Sequence, residues 1–126
     1  MREILFRGKR MDNGEWVYGC LLQFKGFAIF DHDWKTYVPV HGETVGQCTG
    51  LTDKNGKRIF EGDVVSADAD SPRMAVCWEP GYAEFRACWL DWFGNRLYRS
   101  LCGTDKLEVI GNIHDNPELL KGGGAE

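Results

Sequence analysis

The sequence predicts an all-β or β-dominated fold: a small, twisted, barrel-like core of antiparallel strands with an extended hairpin and a short C-terminal helix, with α+β as the alternative. Three observations carry this. Short segments rich in β-branched and aromatic residues recur along the 126-residue chain. Clusters of Gly, Asn and Asp separate them, and no window long enough for a helix keeps an apolar period of 3.6.

Taken in order, the candidate strands begin with Glu3 to Arg7, after which Asp12-Asn13-Gly14 supplies a tight turn into Trp16 to Phe24. Phe27 to Phe30, Thr36 to Val40 and Thr44 to Gly50 follow, each bounded by polar or Gly-containing breaks. Asn55-Gly56 fits the tip of a hairpin leading to Arg58 to Phe60, because such a turn needs residues that tolerate positive φ. Glu61-Gly62-Asp63 is a second tight bend before Asp63 to Ala67. Arg73 to Trp78, Ala83 to Phe93, Arg96 to Leu101 and Leu107 to Ile113 complete the strands, with Gly94-Asn95 as a hairpin turn. Asn116 as N-cap and Pro117 at the first helical position predict a helix of one or two turns. One domain over residues 1–120 is expected, with an internal seam at 68–72 and a disordered Gly-rich tail at 121–126.

Composition narrows the function classes. Fifteen Lys and Arg against nineteen Asp and Glu give a net charge of −4, so the field of the whole molecule repels a long phosphate backbone. Cys20, Cys48, Cys77, Cys88 and Cys102 are odd in number and lack CxxC spacing, which argues against a zinc ribbon or a closed disulfide framework and for reduced thiols in a cytoplasmic protein. The start of the chain, Arg2-Glu3-Ile4-Leu5-Phe6-Arg7, is too short and charged for a signal peptide, and no apolar run is long enough for a membrane span.

The stretch Thr49-Gly50-Leu51-Thr52-Asp53-Lys54-Asn55-Gly56-Lys57-Arg58-Ile59-Phe60-Glu61-Gly62-Asp63-Val64-Val65 resembles the YopX family of phage and prophage proteins. Phe6-Arg7-Gly8-Lys9-Arg10, Asn13-Gly14-Glu15-Trp16-Val17-Tyr18-Gly19, Glu43-Thr44-Val45-Gly46-Gln47 and Ile110-Gly111-Asn112-Ile113 with Asn116-Pro117-Glu118-Leu119-Leu120 match its pattern in order. Residues 67–105 match least. The resemblance implies a phage origin and a β-rich fold, and it brings no catalytic residues, since the family carries no established enzymatic activity. Within the matched stretch, Asp53, Glu61 and Asp63 read as turn-forming residues, with a shared carboxylate site as the competing reading.

Other constellations are weaker. Asp31-His32-Asp33 with His41 offers donors for a divalent ion but fits a solvated hairpin loop better, and no metal or cofactor is expected. No Cys or His sits in a nucleophile signature, so no catalytic residue is assigned. Trp16 and Tyr18 read as core residues. A two-residue turn at Gly94-Asn95 sets Phe93 opposite Arg96, Asp91 opposite Tyr98 and Trp89 opposite Ser100. That register gathers Phe85, Trp89, Asp91, Phe93, Arg96 and Tyr98 on one face, and Cys88, Leu90, Trp92, Leu97 and Leu101 on the core face, with Arg86 and Arg99 towards its edges. Rings interleaved with a guanidinium suit a stacked nucleobase and its phosphate, and equally a protein interface.

The expected function is therefore a non-enzymatic phage accessory protein. The leading reading is a counter-defence protein that sequesters a small nucleotide-derived immune signal, acting as a homo-oligomer. An interaction module that inhibits a host or phage enzyme is one alternative. A nucleic-acid accessory protein is the other, and it requires a local basic cluster such as Arg7, Lys9 and Arg10 to overcome the global charge.

Overall fold

The computed structural model describes residues 4–31, 33, 35–90, 93–101 and 103–120. It is β-dominated, with antiparallel pairing in both of its sheets, as the spacing of apolar runs and turn residues predicts. The chain forms two compact units, one ending at Gly50 and one beginning at Leu51.

The first unit contains β1 (Phe6–Lys9), β2 (Trp16–Gln23), β3 (Phe27–Asp31), β4 (Thr36–Val40) and most of β5 (Gly46–Thr52), hydrogen-bonded in the order β4-β3-β2-β1-β5. Alternation sends Val17, Ile29 and Val40 to one side, where Phe6, Leu21, Phe27 and Val45 pack around them. Arg7, Lys9, Trp16, Tyr18, Phe30 and Tyr37 point to the other side. Between β4 and β5 a single 3₁₀ turn, Gly42–Thr44, occupies the start of the strand expected from Thr44. Thr44 Oγ1 donates to the His41 carbonyl at 2.6 Å and accepts from the Lys9 backbone N–H at 2.9 Å, so a side chain takes the place of a ladder partner.

The second unit holds β6 (Arg58–Phe60), which pairs with β5, and a five-stranded sheet. That sheet contains β7 (Asp63–Ser66), β8 (Met74–Glu79), β9 (Glu84–Leu90), β10 (Arg96–Ser100) and β11 (Glu108–Asn112), in the order β10-β9-β8-β7-β11. Its core is Ile59, Val65, Met74, Val76, Ala87, Leu101 and Leu107, with Ala67, Phe85, Trp89 and Val109 packed against it.

The Asn55-Gly56 turn forms as expected, with Gly56 at φ +80°. Asp53 is its organiser. The carboxylate is only 4% exposed and accepts backbone N–H groups of Asn55 and Lys57 at Oδ1 and of Val109 at Oδ2, each at 2.9 Å. Burial alone would raise the Asp53 carboxyl, but the bonds from Val109, Lys57 and Asn55 and the Lys57 charge outweigh it and hold the group below its ordinary value. Asp63, also buried, accepts the Phe60 N–H at 2.7 Å and closes the Glu61-Gly62-Asp63 bend. Both carboxylates thus serve backbone geometry.

Two expectations change. The short C-terminal helix is a single 3₁₀ turn, Pro117–Leu119, without a side-chain N-cap. Asn116 instead turns its Oδ1 back to the Asn112 N–H at 3.3 Å, so it caps the end of β11 rather than the start of a helix. The polar stretch at 68–72 is a turn between β7 and β8 inside the second unit, where Asp68 Oδ1 accepts the Asp70 and Ser71 N–H groups at 2.8 Å. The tail at 121–126, expected to be disordered, lies outside the described residues.

Candidate ligand-binding face

The hairpin of β9 and β10 decides which side chains meet. Arg96 pairs with Leu90, three positions back from the expected Phe93, and Leu97 with Trp89, Tyr98 with Cys88, Arg99 with Ala87 and Ser100 with Arg86. Gly94 takes positive φ, +83°, but Arg96 pairs with Leu90 and not with Phe93, so Gly94-Asn95 is not a two-residue hairpin turn. A shift by an odd number moves one strand's side chains to the opposite face relative to the other's. The single aromatic face expected from the sequence is accordingly divided. Phe85 and Trp89 lie with Ala87, Leu97 and Arg99 on the side that packs on the core. Phe85 stacks edge-to-face on Trp78, with centroids 5.0 Å apart. Arg96 and Tyr98 point to the other side, with Cys88, which is buried as expected, and Leu90, which was expected in the core and is 66% exposed. Phe93 is 89% exposed in the loop, and Asp91 lies outside the described residues, as does Trp92.

The outward face replaces the lost rings with others. Register places Cys77 and Glu79 of β8 beside Arg86 and Glu84 of β9, and Arg96 and Tyr98 of β10 complete the row. The Arg86 guanidinium lies 3.9 Å from the centroid of the Tyr82 ring, and its Nε donates to Glu84 Oε2 at 2.6 Å. Glu84 is the main reason that the Arg86 pKa stands above its ordinary value. Arg96 lies 5.3 Å from the Tyr98 centroid and donates from Nη2 to Cys88 Sγ at 3.5 Å. Cys88, then Tyr98 and Cys77, raise the Arg96 pKa. The face therefore presents two guanidinium groups, each beside a tyrosine ring, at opposite ends of the β9–β10 ladder. Chemically this suits a ligand with planar and anionic parts. Tyr82 was not singled out from the sequence, whereas alternation placed Arg86 on the Cys88 side, on what was expected to be the edge of the core face.

The first unit supplies a second aromatic face, which includes Trp16 and Tyr18, both expected in the core. Trp16 carries Arg7 at 4.6 Å and Lys9 at 5.4 Å over its ring, and Tyr18 is 45% exposed. Phe30 and Tyr37 meet edge-to-face at 5.2 Å. The signal was available: once Val17 is core, its neighbours Trp16 and Tyr18 must point the other way. Arg10, the third member of the basic cluster, is ion-paired to Asp12 at 2.9 Å. A cleft of about 480 Å³ in the same unit, bordered by Met11, Leu22, Phe24 and His41, is mainly apolar and holds no guanidinium. In the loop after β3, Asp31 Oδ1 accepts the Asp33 N–H at 2.9 Å, a turn bond, while His32 lies outside the described residues. Among the described residues no three His, Cys, Asp or Glu side chains gather as a metal site, and no helix is long and apolar enough to cross a membrane.

Comparison with known proteins adds family and fold. The model of the YopX protein family matches residues 5–121. The crystal structure of protein EF1440 from Enterococcus faecalis superposes with a TM-score of 0.58 at 23% identity, covering 96% of this chain and 100% of that one. No curated protein matches.

Proposed function

This chain belongs to the YopX protein family, and from that premise we propose that it is a non-catalytic binding protein of phage or prophage origin that captures a small nucleotide-derived signal of host immunity in the bacterial cytoplasm. One observation carries the reading: the outward face of the second unit's sheet, where Arg86 stacks on Tyr82 and Arg96 on Tyr98. A guanidinium held flat beside a ring pairs with phosphate or ribose oxygens while the ring accepts a base, and the ring's rigidity limits the entropy lost on binding. The net charge of −4 favours a small anion, whose few charges are met locally, over a long nucleic acid. Self-association into a homo-oligomer is part of this reading, because Tyr82, Leu90 and Phe93, 65%, 66% and 89% exposed, border the face with apolar surface.

A second reading, a module that inhibits a host or phage enzyme, is favoured by β10. It is one of the two edge strands of its sheet among the described residues, and all five of its residues are exposed, so it offers an extended partner segment a strand to align with.

Isothermal calorimetry with cyclic mononucleotides, cyclic dinucleotides and cyclic ADP-ribose isomers tests the first reading. Saturable binding that weakens at least ~10-fold in both Arg86→Ala and Arg96→Ala supports it. No binding of any of these compounds by the intact protein overturns it. Stoichiometric recovery of one host protein, lost when Tyr98 is replaced by Pro to block the edge, supports the second.

A further inference from the structure

Two thiols on the outward face have neighbours that select a chemistry. The pairs Ala75 with Cys88 and Cys77 with Arg86 set Cys77 and Cys88 on the same side of adjacent antiparallel strands, one step apart on the diagonal. Cys88 is close enough to act electrostatically on the Cys77 thiol. The Cys88 sulfur also approaches the Ala75 carbonyl at 3.5 Å and receives Arg96 Nη2 at 3.5 Å. Cys88 is 8% exposed and Cys77 half-buried, so the pair is shielded and still open at one side.

We propose that Cys77 and Cys88 are a two-thiolate site for a soft monovalent metal ion of the Cu(I) class, with Arg96 as its counter-charge. Three features distinguish this from other ions. Zinc takes four ligands, and among the described residues no third His, Cys, Asp or Glu joins the pair. Calcium and magnesium require oxygen donors, which the pair does not offer. Cu(I) is satisfied by two thiolates in a near-linear arrangement, and soft sulfur ligands select it. Charge closes the argument: two thiolates and one Cu(I) leave one negative charge, and the Arg96 guanidinium already donates to one of the two sulfurs.

On binding, each thiol gives up its proton to solvent as its sulfur donates an electron pair to the metal, so two protons leave and nothing is oxidised or reduced.

The test uses the whole protein under anaerobic conditions, with Cu(I) supplied as its bathocuproine disulfonate complex. One equivalent of Cu(I) should transfer, with thiolate-to-copper absorption in the near ultraviolet and protection of two thiols from a thiol reagent. X-ray absorption on that complex should find two sulfur neighbours per copper. Cys77→Ser and Cys88→Ser should each weaken transfer by at least ~100-fold, Arg96→Leu by about 10-fold, and Arg96→Lys by less. Cys20→Ser, an exposed site in the first unit, should leave transfer unchanged. Three or more ligands per copper, tight transfer to the Cys77→Ser Cys88→Ser double variant, or loss on Cys20→Ser would overturn the proposal. If a serine variant fails to fold, the sulfur count and the thiol protection mapped by mass spectrometry on the unsubstituted protein still decide it.

Discussion

Replacing Asp53 tests the reading that this carboxylate ties the Asn55-Gly56 turn to β11. In Asp53→Ala three backbone N–H groups lose their acceptor. Asn55 and Lys57 are exposed and can turn to water, at about 0.5–1 kcal/mol each, whereas the Val109 N–H is half-buried and its loss costs about 1–3 kcal/mol. A loss of about 3 kcal/mol is expected from urea denaturation. Asp53→Asn should come close to that value, because both carboxylate oxygens accept and an amide must aim an NH₂ at one of the backbone donors. The pH dependence has a definite sign. A carboxyl whose folded pKa lies below its unfolded value contributes stability that is present above the unfolded value, ~3.9, and lost as pH falls through the folded one. The difference between the native protein and Asp53→Asn should therefore hold steady from pH 7 to pH 5 and shrink below about pH 4. A loss under about 0.5 kcal/mol in both variants, or a difference that grows on acidification, would refute the reasoning.

Gly56→Val, with φ +80° at that position, should cost about 1–3 kcal/mol in urea denaturation, whereas Gly56→Asn should cost clearly less. Trp89→Ala should lower stability by about 2–4 kcal/mol, since the ring packs against the second unit's core. Tyr98→Ala, at a position 40% exposed, should leave the melting temperature nearly unchanged and, if the face holds a nucleotide, lose about 1–3 kcal/mol of affinity by calorimetry. Alkylation of Cys77 by iodoacetamide, followed by peptide mass spectrometry, should keep accelerating with pH past 9, because the thiol is half ionised only at about 11. The same profile should move to lower pH in Cys88→Ser, which removes one of the two main causes of the shift.

What the amino-acid sequence determined by itself was local: the β character, the strands and the Asn55-Gly56 turn, all set by side-chain type and by conformations available within a few residues. Thr36 to Val40 and Arg58 to Phe60 match their strands end to end, because apolar alternation bounded by turn residues leaves little choice of period. The tertiary structure decided which faces those strands present. Gly94-Asn95 signals a turn but cannot specify how many residues join β9 to β10, and a change of three positions parts Phe85 and Trp89 from Arg96 and Tyr98. Asn116 reads as an N-cap until the end of β11 competes for its side chain. Asp53 finds Val109 fifty-six positions away in sequence, and the neighbours of Cys88 come from β8 and β10 together. Such choices rest on strand pairing and burial between segments distant in sequence, where a one-residue slip costs nothing in local propensity and exchanges core for surface.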